Sequence, residues 1–332
     1  MAERRSRRGR AALVYNPIKV DKRALRAAVS GRSSRAGWAR PLFFETTIED
    51  LGQKATRQAL DQAVDAVLVA GGDGTVRAVA EALTGTGVPL TIVPSGTGTL
   101  LARNLGLPLL EPEHMIDATF TGDTIAIDVG IATLTRVDGE HEEYAFVVMG
   151  GIGLDAAMIA NTRPKLKKTV GWVAYIDGAA RSLPNAKPFR VVYQLEGRRM
   201  HTAKVQSVLF ANCGALPAGI SLVPDASITD GRLDVAVIQP AGWFGWLGVW
   251  RKVWWDNSVL RRFRAGRRVL QYRGRAASVR YRHGSSIEVA AEWPSAVQLD
   301  GDEFGKATRV RCRLEPGGLR VTVPHGHDTS RL

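Results

Sequence analysis

The sequence predicts an α/β region built on a parallel sheet, followed by a mostly antiparallel β region. Three observations predict this. From residue 11 to residue 93, short apolar runs alternate with helix-forming stretches, the pattern of strands joined by crossover helices. Beyond residue 124, strand-like runs follow one another with few helical stretches. The chain has 332 residues, 45% hydrophobic and 23% charged, enough to bury a sizeable core and too apolar for wholesale disorder.

The elements follow in order. Ala11–Tyr15 is an apolar run stopped by Asn16-Pro17 and reads as the first buried strand. Residues 21–30 have helical composition. Pro41–Glu45 reads as a second strand, and residues 49–64 as a helix. Asp65–Ala70 is a third strand stopped by Gly71-Gly72, Val76–Leu83 a helix, and Val88–Val93 a fourth strand stopped by Pro94. In the second region the strand-like runs are Thr124–Val129, Tyr144–Met149, Phe189–Leu195, Gln206–Ala211, Leu233–Ile238, Ala277–Tyr281, Ser286–Val289, Arg309–Arg313 and Leu319–Val323. Helices are expected near 154–161 and 169–182. The expected domains are therefore 11–123 and 124–325, after a basic tail at 1–10, and the last strand, near 318–325, can return to the first domain.

Charge and composition narrow the function. Basic residues number 45 against 32 acidic ones, a net charge of +13 that favours anionic partners. No nucleic-acid-binding motif accompanies it, so nucleic acid is not the expected partner. The two cysteines, Cys213 and Cys312, suit neither a disulfide framework nor a zinc site, and the chain reads as a reducing-compartment protein. There is no apolar run of transmembrane length and no signal-peptide pattern at Met1–Arg10.

The chemistry lies in glycine-rich turns. Val67–Thr75 reads VLVAGGDGT: a strand, then Gly71, Gly72, Asp73, Gly74 and Thr75, then a helix. Three glycines in four positions let main-chain N–H groups approach an anion, and the helix N-terminus favours negative charge. Thr75 can cap the helix or bond a phosphate. Asp73, a carboxylate among phosphates, implies a metal ion or a proton to manage. The bland alternative is an ordinary strand-to-helix turn. A second loop, Pro94-Ser95-Gly96-Thr97-Gly98-Thr99, follows the fourth strand, and Asn16 and Lys19 follow the first. All three turns leave the strand edge where open α/β sheets bind ligands. Gly151–Ala156 fits a dinucleotide fingerprint but lies in the β-rich half, so it reads as a packing turn. No Walker-A loop, H-E-x-x-H motif or G-x-S-x-G elbow occurs.

These residues resemble the diacylglycerol kinase catalytic-domain family, which includes bacterial lipid kinases and sphingosine and ceramide kinases. The matching stretches are Val14–Pro17, Gly71–Thr75, Pro94–Pro108, Gly151–Met158, Gly171–Ile176, Pro224–Val235 and Leu299–Asp302. GGDGT alone is weak, since NAD kinases and phosphofructokinases carry similar turns; the ordered set is specific. An NAD kinase would add an Asn-Glu pair and a G-S-T-A-Y-like stretch, and neither is present. The resemblance implies an N-terminal α/β nucleotide-binding domain and a C-terminal β-sandwich, with the active site between them. It implies an ATP-dependent lipid kinase, with diacylglycerol, a sphingoid base or a glycolipid as acceptor. The competing reading is a catalytically inactive lipid-binding protein. The ATP set carried over is Asn16, Pro17, Thr46 or Thr47, Gly71, Gly72, Gly74, Thr75, Gly96 and Thr97. The implied Mg²⁺ site is Ser227, Asp230 and Arg232, with Asp230 giving its carboxylate and the other two their carbonyls. Asp302 falls where the family carries its base, often glutamate, with Glu303 beside it; related sphingosine kinases suggest Asp73 for that role instead. The family's Asn in the second loop is replaced here by Thr99, and its Ser/Thr-Gly after the first strand by Lys19-Val20.

The stretch 241–282 predicts docking to an anionic membrane. Trp243, Trp246, Trp250 and Trp254 fall on one helical face, with Arg251, Lys252, Arg261, Arg262 and Arg264 close behind. The alternative is that the tryptophans pack into the β domain. The expected location is the cytoplasm, peripherally at the inner face of the membrane. A homodimer is among the assemblies the sequence leaves open.

Overall fold

The computed structural model describes residues 8–95, 99–153, 188–214, 223, 226–239, 279–330 and 332. The chain divides into two compact units, Met1–Val129 with Pro316–Leu332, and Gly130–Glu315.

Unit one alternates strand and helix. β1 (Ala11–Tyr15) is fully buried at every position and sits centrally in a parallel sheet. α1 (Lys22–Arg35) starts at Asp21, whose carboxylate accepts the N–H groups of Arg23 and Ala24. β2 (Leu42–Glu45) pairs in parallel with β1. α2 (Gln53–Asp61) follows Gly52, where φ is +138° and an added Cβ would stand 2.9 Å from Val79 Cγ2, so a side chain is excluded twice over. β3 (Ala66–Ala70) flanks β1 on its other side and leads into α3 (Asp73–Leu83). β4 (Leu90–Ile92) pairs with β3, and Val321 near the C-terminus pairs in parallel with Leu90. α4 (Leu100–Asn104) and α5 (Pro112–Thr121) complete the set. Leu13 and Tyr15 share a core with Val29 of α1 and Ile116 of α5, while Val14 lies towards Val79 of α3. Helices thus cover both faces, as an all-parallel sheet requires.

Unit two is antiparallel. β5 (Asp123–Thr135) enters it and pairs with β6 (His141–Phe146); β7 (Met149–Ile152), β8 (Phe189–Leu195), β9 (His201–Val205), β10 (Ser207–Ala211), β11 (Leu233–Ile238), β12 (Val279–Gly284), β13 (Ser286–Leu299) and β14 (Asp302–Val323) follow. One layer runs β12-β11-β10-β7-β13-β14. β13 pairs with β8 along Ile287–Ala291 and with β7 along Val297–Leu299, and its register shifts between Ala290 and Ser295, where Pro294 interrupts the ladder. That irregularity separates the stretch of β13 that pairs with β8 from the stretch that pairs with β7. Phe146, Phe210, Val235, Val289, Val297 and Leu299 fill the core.

Several elements differ from expectation. Tyr144–Met149 is not one strand: the chain bends at Val147-Val148, between β6 and β7. Arg309–Arg313 and Leu319–Val323 are parts of the single strand β14, and β9 is an additional, largely exposed strand. α3 starts three residues before the expected Val76, because Gly72 in extended backbone serves as its cap. Gly151 and Ile152 are strand residues, and the packing role falls to Gly150 and Gly153, whose added Cβ atoms would lie 2.5 Å from Leu299 and 2.3 Å from Phe189. The expected helices near 154–161 and 169–182 lie outside the described residues.

Candidate functional site

The parallel sheet of unit one sends its connections off one edge. Behind β1, the Asn16 N–H donates to Ala70 O at 2.9 Å and Asn16 Oδ1 accepts the Ile18 N–H at 3.0 Å, so this turn is tied to the end of β3. Behind β2, the Thr46 N–H donates to Tyr15 O at 2.9 Å. Tyr15 in turn donates its hydroxyl to Glu45 at 2.8 Å; burial and that carboxylate raise the phenol's pKa, and the same bond lowers that of Glu45. Thr47 accepts the Asp50 N–H at its Oγ1, 3.0 Å away, spending the hydroxyl on the turn that opens α2. Thr46 is buried at the strand end.

Behind β3, Gly71 permits the closest packing: an added Cβ would lie 2.8 Å from Thr75 Cβ. Thr75 is buried and does not cap α3; the cap position belongs to Gly72, which brings no side-chain acceptor to the first N–H groups. Asp73, expected in the turn before the helix, belongs to the helix itself. Asp73 is the first residue of α3 and half-buried, and its Oδ1 accepts the Leu100 N–H at 2.7 Å. Leu100 opens α4, whose cap residue Thr99 makes no side-chain capping bond. Asp73 therefore caps the next helix from a distance and ties the loop after β3 to the loop after β4. Gly96 and Thr97 lie outside the described residues.

The bond from Asp73 also bears on Thr99. Asn outranks Thr slightly as a helix cap, and the cap function here is already met by Asp73. If the site carries the phosphoryl transfer that the resemblance implies, Thr99→Asn should leave it similar or higher, measured as turnover with saturating ATP. A collapse of activity would show that the Thr99 hydroxyl has a dedicated role.

Unit two holds the remaining candidates. Leu299 and Asp302 face each other across the β13–β14 hairpin, joined by Asp300 and Gly301 with φ of +49° and +89°. Two left-handed residues in a two-residue loop make the hairpin turn that suits the strands' twist. Asp300 is buried: its Oδ2 accepts the Val147 N–H at 2.7 Å, and its Oδ1 those of Val148 at 2.8 Å and Met149 at 2.9 Å. This explains the bend between β6 and β7, since the donors a strand would have spent on a ladder go to a carboxylate. Burial and the Asp300 charge push the nearby Cys213 thiol well up, which keeps it protonated. Asp302 is half-buried and Glu303 exposed; as consecutive strand residues they point to opposite faces. Sequence reasoning singled out Asp302 and missed Asp300, although Asp-Gly between two strand-like stretches is a hairpin signal.

The turn at 227–232 is built from its own polar groups. Ser227 Oγ accepts the Thr229 N–H at 3.3 Å, Asp230 Oδ1 accepts the Arg232 N–H at 2.9 Å, and Gly231 closes the turn at φ +68°. Asp230 is exposed. An exposed carboxylate with main-chain carbonyls is a donor set that fits a hard, oxygen-seeking cation. Among the described residues no three His, Cys, Asp or Glu side chains gather as a metal cluster, so such a site would lean on main-chain oxygen. The stretch 241–282 lies outside the described residues except for positions 279–282 in β12, and among the described residues no helix is long and apolar enough to cross a membrane.

Comparison with known proteins now decides the family. Residues 10–132 match the diacylglycerol kinase catalytic domain, and residues 147–323 match the YegS C-terminal NAD kinase beta sandwich-like domain. The chain belongs to the diacylglycerol kinase catalytic-domain family. A probable lipid kinase YegS-like from Pseudomonas aeruginosa is 30% identical over 95% of this chain and 94% of its own length. Diacylglycerol kinase from Mycobacterium tuberculosis is 30% identical over 182 residues, 54% of this chain and 57% of that protein, so the match spans little more than half of that relative. In fold, a putative diacylglycerol kinase from Bacillus anthracis superposes with a TM-score of 0.72 at 20% identity, covering 100% of this chain and 99% of that one. Yeast NADH kinase gives 0.56 at 11% identity, over 98% of this chain and 86% of that one. The α/β domain and the β-sandwich-like domain of the family are both present.

Proposed function

We propose that the protein transfers the γ-phosphoryl group of ATP to a hydroxyl of a membrane lipid, most simply diacylglycerol, giving phosphatidic acid. The observation that carries this reading is the Gly71–Thr75 turn at the N-terminus of α3, with Asp73 joined to the loop after β4. Main-chain N–H groups at a helix start suit phosphate oxygens, and two linked loops can hold a polyphosphate in one register. Asn16, Pro17, Thr46, Gly72, Gly74 and Thr97 serve as the nucleotide set; Thr47, committed to its own turn, is the weaker of the two threonines. Asp302 takes the proton of the acceptor hydroxyl as its oxygen bonds to the γ-phosphorus and the bond to the ADP oxygen breaks. Ser227, Asp230 and Arg232 would hold Mg²⁺, which when bound supplies positive charge that steadies the local loop. The tryptophans and arginines of 241–282 serve to dock the protein on an anionic leaflet, where its acceptor resides.

The test is labelled ATP with purified protein and vesicles carrying diacylglycerol, a sphingoid base or a glycolipid in neutral or anionic lipid. Label in phosphatidic acid, greater on anionic vesicles and weakened by salt, is expected. Label in another lipid would reassign the acceptor, and transfer to none would return the protein to a lipid-binding role.

A further inference from the structure

We propose that Asp300 is a positioning residue that fixes where Asp302 stands. The inference rests on the reading of Asp302 as the base. Asp300 lies two residues before it, is 3% exposed, and takes three main-chain N–H groups from the bend at Val147–Met149. Its own N–H donates to Met149 O at 2.8 Å, so both its main chain and its side chain are anchored to the same segment. That segment is held from a third direction. Asn212 Nδ2 donates to Val147 O at 3.0 Å, and the N–H groups of Asn212 and Cys213 donate to Val148 O at 2.9 and 3.0 Å. The end of β10 and the β13–β14 turn therefore both fasten the segment Val147–Met149 at the start of β7.

A buried carboxylate is costly unless its oxygens are filled, and three N–H donors fill them. A non-glycine residue at φ +49° also needs a reason to stay there, and the same bonds supply it. Fold stability alone would be served more cheaply by Asn-Gly, the other favoured pair for this turn. Asparagine, however, has one acceptor oxygen. Oδ1 already serves two donors, and an amide at the Oδ2 place would turn its NH₂ group against the Val147 N–H. The carboxylate is thus required by the three-donor anchor rather than by the turn. What the anchor holds is a tight two-residue turn whose next residue is Asp302, and a shift of about 1 Å at a reacting group can cost about 100-fold in rate.

The experiment is a double-mutant cycle on the full chain with Asp300→Asn and Asp302→Asn, in the lipid kinase assay, with Tm measured alongside. Asp300→Asn is expected to lower kcat by about 100-fold with KM for ATP unchanged. In the Asp302→Asn background the same change should cost nothing further, because its effect runs through Asp302. Wild-type kcat in a folded Asp300→Asn protein, or losses that multiply in the double variant, would overturn the inference while leaving the base assignment standing. Full turnover by Asp302→Asn would instead remove the base assignment and this inference with it. Should Asp300→Asn fail to fold, Asp300→Glu keeps a carboxylate for the three donors but lengthens its tether to the turn by one methylene. It should then show a loss of kcat with KM for ATP unchanged and no further cost beside Asp302→Asn; wild-type kcat there overturns the inference.

Discussion

Asp73→Ala should yield a folded protein whose lipid kinase turnover is down by at least about 100-fold. The structure makes this test two-sided, because Asp73 has a structural task beside any chemical one. Its carboxylate accepts the first N–H of α4, so alanine leaves that helix without its cap and costs about 1 kcal/mol. A thermal shift of a few degrees is expected, and the loop after β4 loses its tie to α3. Asp73→Asn separates the two tasks. Its amide oxygen can still accept the Leu100 N–H, so the melting temperature should return towards wild type. If the charge is needed for transfer, turnover should not return with it. Recovery of both by asparagine would assign Asp73 to loop geometry alone, and full activity in either variant would remove it from the mechanism.

How much of this was legible in the sequence depends on the kind of signal. Ala11–Tyr15 and Ala66–Ala70 are unbroken apolar runs closed by Asn-Pro and Gly-Gly, and strands buried on both faces give just that pattern. The ordered motifs carried the family, which the domain matches show. What stayed hidden was long-range hydrogen bonding. Nothing local in Tyr144–Met149 announces a bend, since the acceptor that causes it, Asp300, lies about 150 residues away in sequence. Nothing local in Leu100 shows that its N–H is satisfied by Asp73, 27 residues upstream. The length of β14 was hidden for another reason. Arg309–Arg313 and Leu319–Val323 read as two runs, yet the Gly317 N–H between them donates to buried Asp128 at 2.8 Å, and the strand runs through. Buried acceptors distant in sequence thus account for most of what the residue pattern did not reveal.

Asp302→Asn should lower kcat by about 100-fold to 10,000-fold with little change in KM for ATP. Asparagine keeps the shape and removes the ability to take a proton, and the proposed nucleotide set belongs to β1, β2, β3 and β4 and their loops, so ATP affinity should be spared. Two controls sharpen the reading. Glu303→Gln should be nearly silent, because Glu303 is exposed on the other face of β14 and cannot stand in for its neighbour. Asp302→Glu should keep far more turnover than Asp302→Asn, because it restores a carboxylate at the cost of one methylene on a half-buried side chain at the mouth of a fixed turn. If glutamate were as poor as asparagine, placement rather than basicity would dominate, and the rigid hairpin anchored by Asp300 would be the reason. If asparagine kept full turnover, the proton would have to leave by another route, and Asp73 would be the first carboxylate to test for it.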